Sequence, residues 1–227
     1  MVRGTNYNPW LAGDEADYQP PGPPKIRYSL TELFHLGSAV FILTAAFTLV
    51  LNSPSFAAVE EADLAWWQVL LAAFGAVTSG FVLHELAHKI VAQRYGHWAE
   101  FRAQFAGLGI TLLLAALLKA LFAAPGAVVI YGRVTPKENG LISLVGPGIN
   151  FVIALAAYPF TLVTDTSAAL PTILYVVAFV NALLAVFNLI PFGPFDGRKV
   201  LSWNWIVWLV SMVLCATLLV LVWVGIP

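Results

Sequence analysis

The stretch Trp66–Tyr95 reads WWQVLLAAFGAVTSGFVLHELAHKIVAQRY, and it decides what kind of molecule this is. From Trp66 to Leu83 it carries no charge, a run of the length at which an apolar helix crosses a bilayer, about 20 residues. Then His84, Glu85 and His88 follow within one helical turn or so. Ionisable groups in a span are costly and usually functional, so the chemistry of the chain is to be sought here.

The rest of the chain has the same character. It has 227 residues, 60% apolar and only 10% charged, with a mean hydropathy of +0.84. A soluble domain carries roughly 25% charged residues, enough to cover a water-facing surface; this chain does not. Further apolar runs lie at about 30–52, 139–163, 172–191 and 205–226, with a shorter one at about 107–124. The last is followed by Pro125-Gly126 and then Ala127–Tyr131, which reads as a strand. Extended chain rises about 3.3 Å per residue, so this strand can run most of the way back through a membrane. Such backbone is tolerated at depth only where protein or a water-filled cavity covers it. The expectation is an all-α polytopic membrane protein of five to six transmembrane helices, with a re-entrant helix/strand insert.

Residues 1–28 are polar and rich in proline, with Pro20, Pro21, Pro23 and Pro24 close together. They have no early apolar stretch of the secretory kind and read as an extended arm. The organisation expected is an arm over 1–28 and a membrane-embedded domain over 29–227, its core at 66–205, with no appended soluble domain. Net charge is −1, which gives no footprint for nucleic acid. Cys215 is the only cysteine, so an internal disulfide is excluded.

Basic residues orient the spans. Arg3, Lys25 and Arg27 precede the first run, Arg94 and Arg102 follow the second, and Arg133, Lys137, Arg198 and Lys199 come later. Segments 53–65 and 164–171 carry no Lys or Arg but hold Glu60, Glu61, Asp63 and Asp165. Cytoplasmic loops collect positive charge. All basic clusters fall on that side if 107–131 enters and leaves from the same face; a simple sixth span would put Arg133 and Lys137 outside.

The spacing of His84, Glu85 and His88 has a physical meaning. Histidines four apart on a helix share one face, roughly 6 Å apart, so both imidazoles reach one ion. Tetrahedral zinc then takes a third protein ligand and keeps one position for water, and Glu85 is placed to accept a proton from it. Two buried histidines bonded to backbone carbonyls are the bland alternative, which leaves Glu85 in lipid without a partner. His88 precedes Arg94–His97 by six to nine residues, placing the site about 9–14 Å below the cytoplasmic surface at 1.5 Å per residue. For the third ligand, His35 and His97 sit at span edges. Asp196 lies in Pro191-Phe192-Gly193-Pro194-Phe195-Asp196-Gly197, where prolines and glycines break the helix. A plain Asp-Gly turn accounts for it equally well, and the residues alone leave both readings open.

Three segments resemble the site-2 protease family of intramembrane zinc metalloproteases. His84–His88 looks like the zinc helix of that family. Asn188–Gly197 is similar to its Asn-x-x-Pro…Asp-Gly motif, and Gly146-Pro147-Gly148-Ile149-Asn150 to the Gly-Pro-x-x-Asn start of its middle core helix. The resemblance implies zinc held by His84, His88 and Asp196, with Glu85 as general base. It implies transmembrane-helix proteins as substrates, cleaved within the membrane. It also implies that Asn150 and Asn188 lie near the substrate or active site, where interhelical hydrogen bonding is the ordinary alternative. One departure stands out: many members of that family place a short Gly-rich β-hairpin just after the zinc helix, whereas here Phe105–Gly109 leads into an apolar helical insert before the 127–131 strand.

Two other classes of function are compatible with metal-binding groups in a membrane. A non-catalytic adaptor would keep the site, or its shape, and bind transmembrane partners; the presence of both histidines, the glutamate and the aspartate argues against a decayed site. A zinc transporter needs polar residues along its route, and runs 30–52 and 205–226 offer almost none.

Overall fold

Hydropathy alone would make each long run a helix, and in the computed structural model, which describes residues 26–53, 56–120, 125–163 and 169–224, each is one. Helix α1 (Leu30–Leu51) starts at Ser29, whose hydroxyl accepts the Glu32 N–H at 3.1 Å. A short α2 (Ala57–Glu61) leads to the second span. That span is built from α3 (Trp66–Val77), a π-helical turn over Thr78–Val82, and α4 (Leu83–Arg94). Helices α6 (Pro136–Val163), α7 (Ala169–Asn188) and α9 (Trp205–Val224) complete five that are long and apolar enough to cross a membrane. The protein is a multi-pass membrane protein. Of the proline-rich arm expected at 1–28, residues 1–25 lie outside the described residues.

Tight helix packing comes from small side chains. Ala72, Ala73 and Ala76 of α3 meet Val176, Ala178 and Ala182 of α7 in the main buried cluster. In lipid, where apolar surface is not squeezed together by water, such close approach is what holds helices together. The outward faces are apolar as well: on α9, Ile206, Val210, Val213 and Trp223 are more than half exposed, as a lipid-facing surface requires.

The helix/strand insert expected after α4 is present, and a further strand precedes it. Trp98–Ala103 forms β1, helix α5 (Phe105–Leu118) follows, and Gly126–Tyr131 returns as β2, antiparallel to β1 with Phe101 opposite Val128. A hairpin thus does follow the zinc-motif helix, with α5 inserted at its tip. The Gln104 N–H donates to the Pro125 carbonyl at 3.0 Å, so the insert leaves and re-enters the sheet at one point. The shorter run forms α5, which packs on α1. In β1, Ala99 and Phe101 are fully buried on one face and Trp98 is exposed on the other, while Glu100 is also largely buried.

The two edges of this ribbon differ. On the outer edge of β1, Glu32 accepts the Phe101 N–H at 3.0 Å, His35 Nδ1 accepts the Ala103 N–H at 3.2 Å, and Gln93 donates to the Ala99 carbonyl at 2.9 Å. On the outer edge of β2, Glu85 is the one side chain among the described residues that binds the backbone, accepting the Val128 N–H at 3.0 Å.

Candidate metal centre

Helix α4 brings His84 and His88 to the same face, and the π-helical turn before it sets where that face points. A π turn inserts one residue and offsets the face downstream, and such turns concentrate at functional sites. Here the Gly80 carbonyl in the turn accepts a hydrogen bond from Asn150 Nδ2 of α6 at 2.9 Å. Asn181 of α7 donates to Ser79 Oγ at 2.9 Å, and its own oxygen faces Asn150 Nδ2 at 3.3 Å. With both Asn150 donors directed at acceptors, its Oδ1 is the atom presented to His84 Nδ1, 2.7 Å away.

This fixes the imidazoles. His84 Nδ1 faces Asn150 Oδ1, and His88 Nδ1 faces the Ile142 carbonyl at 2.6 Å. Each neutral ring therefore carries its hydrogen on Nδ1 and turns a lone pair outward from Nε2. The two Nε2 atoms stand 2.9 Å apart. Asp196 Oδ2 is 3.4 Å from the first and 3.0 Å from the second. Three acceptors converging in a buried place repel one another unless a cation joins them.

Asp196 reaches this point because α8 (Asp196–Trp203) begins against the end of α7. Gly193, at φ +70°, allows the reversal. A Cβ on Gly197 would collide with the Leu189 carbonyl, so only glycine lets the start of α8 come this close. The other carboxylate oxygen, Oδ1, accepts from Lys199 at 3.3 Å. From the far side, Gly146 of α6 completes the pocket: a Cβ there would sit 2.6 Å from His84 Nε2.

The donor set fits zinc. Bonds of about 2.0–2.2 Å in a tetrahedron separate neighbouring ligands by about 3.3–3.4 Å, near the three separations seen here. His84, His88 and Asp196 form a group that could hold a metal ion, all three residues being less than a tenth exposed. Each histidine also has the Nδ1 partner that orients metal-binding imidazoles. Glu85 is beside the cluster rather than in it.

The other expected residues separate. Asn150 touches the cluster through His84. Asn188 does not: its amide donates to the Leu184 carbonyl at 3.0 Å within α7, and among the described residues no hydrogen bond joins it to His84, His88 or Asp196. His35 serves β1, and His97 lies 3.5 Å from Glu138. Asn181 went unnoticed in the sequence, and Gly146 figures there only as part of the Gly-Pro-x-x-Asn segment, not as a wall of the metal pocket. Asn181 is one polar residue in an apolar helix, a signal of the kind that marked Asn150.

Comparison with known proteins agrees with the geometry. The chain is 38% identical over 183 residues to "Putative zinc metalloprotease MJ0611" of Methanocaldococcus jannaschii, covering 80% of this chain and 89% of that protein. It is 31% identical over 137 residues to "Zinc metalloprotease MJ0392" of the same organism, and 33% identical over 144 residues to "Putative zinc metalloprotease Rip3" of Mycobacterium tuberculosis. Each of these two matches covers 60% of this chain and about a third of the relative, 34% and 32%. No family model and no solved structure matches. With a relative of that name aligned over four-fifths of the sequence and its three motif segments gathered at one point, the chain belongs to the site-2 protease family of zinc metalloproteases.

Proposed function

We propose that the protein is an intramembrane metalloprotease that hydrolyses peptide bonds within transmembrane segments of other proteins. His84, His88 and Asp196 would hold zinc, and Glu85 acts as general base. The observation that carries this reading is the convergence of three lone-pair donors, 2.9–3.4 Å apart, next to a carboxylate that binds a strand edge. Zinc, when bound, supplies Lewis acidity that makes water acidic enough to ionise near neutral pH.

The chain's own residues do the rest. Asn150 and the Ile142 carbonyl keep both imidazoles in the tautomer that offers Nε2. Gly146 leaves room in front of them. A helical substrate hides its peptide bonds in its own hydrogen bonds, so a segment must unwind before attack. The outer edge of β2 can take that segment by strand addition, through backbone bonds that tolerate many sequences. Pairing there takes up the Val128 N–H and releases Glu85 to accept the proton of the attacking water and pass it to the leaving amine. Asn188, whose amide donates within its own helix, would serve the substrate side of the site rather than the metal. The basic clusters orient the site towards the cytoplasm.

The test is Glu85→Gln in purified protein. It should keep stoichiometric zinc and lose cleavage of a transmembrane substrate by at least about 100-fold, the scale of a lost general base. Cleavage at the normal rate would remove Glu85 from the mechanism; zinc bound without cleavage by the unaltered protein would favour an adaptor.

A further inference from the structure

A closed circuit of contacts runs around the zinc-motif helix. Phe101 and Val128 face each other across the sheet, and both send their N–H groups outward, as a non-hydrogen-bonded pair must. The Val128 N–H meets Glu85, and the Phe101 N–H meets Oε1 of Glu32. The other oxygen of Glu32 is gripped by Lys89 Nζ. Lys89 follows Glu85 by four residues on α4, so the circuit ends on the helix turn where it began.

The Glu32–Lys89 pair is an expensive thing to place here. Both side chains are 0% exposed, and the Tyr28 ring covers Nζ with its centroid 3.6 Å away. Desolvating two charges often costs more than their attraction returns, so such a pair is weak as a source of stability. It does, however, direct both oxygens of one carboxylate. One holds α4, the other holds β1, and the sheet register carries that placement to β2.

We propose that Glu32, braced by Lys89, is a positioning residue for the proteolytic reaction: it holds the Phe101–Val128 rung so that the outer edge of β2 stays in register with Glu85. Glu32 touches neither substrate nor reacting atoms and acts through the Phe101 N–H. The inference rests on the proteolytic reading above. What matters is an acceptor of the right reach at position 32, not the charge, which can be removed together with its partner.

Three double variants of the full chain separate these. E32Q/K89M keeps an acceptor at the same reach, E32N/K89M withdraws it by one methylene, and E32L/K89M removes it. E32Q/K89M should retain kcat/KM within about threefold. With zinc bound as in the unaltered protein, E32N/K89M and E32L/K89M should each lose about tenfold or more, mainly as a raised KM, as sub-ångström misplacement of a binding edge does. Amide exchange over 98–103 and 126–131 should quicken in those two variants relative to α7 and stay unchanged in E32Q/K89M. This readout holds even if no cleavage is found, so a failed proteolytic reading is told apart from a failed circuit. A purely structural role predicts loss that tracks melting temperature, with KM unchanged in folded protein. The proposal is overturned if folded, zinc-loaded E32Q/K89M is as impaired as E32L/K89M. It is equally overturned if E32N/K89M or E32L/K89M matches the unaltered protein in KM and exchange. Should the latter two not fold, E32Q/K89M decides alone.

Discussion

Adding a single methyl group at Gly146 tests what the paired imidazoles are for. A Cβ at that position lies 2.6 Å from His84 Nε2 and also intrudes on His88 Nε2. Comfortable nonbonded separation is about 3.5 Å, so the methyl and the ring must part by roughly 1 Å. Zinc–ligand distances tolerate only about 0.2 Å. The rings cannot swing aside without breaking their bonds to Asn150 and the Ile142 carbonyl. Nor can α6 back away freely, because it is pressed against Trp203 at Gly140. Zinc affinity of Gly146→Ala should therefore fall by about 100-fold, the upper end of what disturbed ligand orientation costs. The helix itself should gain, since alanine is better than glycine by about 1 kcal/mol in a helix interior. Gly148→Ala is the matched control, as a Cβ there meets nothing within 4 Å. Competitive titration against a chromophoric chelator, with thermal unfolding alongside, reads both effects. If Gly146→Ala takes up zinc as tightly as Gly148→Ala, the inference from converging donors is wrong.

Other outcomes follow from the same geometry. Asn150→Ala strands the His84 Nδ1–H and the Gly80 carbonyl together; zinc affinity by calorimetry should drop about 10–100-fold, with cleavage recovering in excess zinc. Gly197→Ala drives a methyl into the Leu189 carbonyl, which as backbone cannot swing clear, so it should destabilise by about 1–3 kcal/mol in thermal unfolding and loosen zinc by moving Asp196. In a Cys215→Ala background, cysteines at the exposed positions Glu61 and Lys137 should react with impermeant reagent from opposite sides, Lys137 from the cytoplasm. Labelling of both from one side would refute the orientation.

Much of this architecture is legible in the sequence because lipid imposes so few choices. An uncharged run such as Trp66–Leu83 can only be a buried or membrane helix, and a hydrogen-bonding pair such as His84 and His88 stands out against it. The return strand shows in its β-branched residues, Val128, Val129 and Ile130. What escaped was decided by long-range packing. Ala99, Phe101 and Ala103 alternate with Glu100 and Arg102, whose charges give the stretch the look of a polar loop. Glu32 looks like a first-turn acidic residue three after Ser29, whose hydroxyl does cap it, while its carboxylate turns inward. Lys89, one residue past His88, passes for an interfacial lysine; only the fold shows that it is sealed from solvent. The π turn has no sequence signature at all. Asp196 could not be separated from an ordinary turn by its neighbours, because what aims it is the fit of Gly197 against the end of another helix.

The unequal margins of the two-stranded ribbon bear on how the protein behaves in a crowded bilayer. A bare ribbon has two flanks onto which foreign chains can zip, and is an invitation to runaway stacking between copies. Here Glu32, His35 and Gln93 upholster one flank, leaving the other guarded, among the described residues, by a single glutamate. On the proposed function, the ribbon is thereby monovalent: it would admit one guest at a time, along the side where that glutamate waits, and two copies would have no second flank through which to knit their ribbons into a continuous fabric.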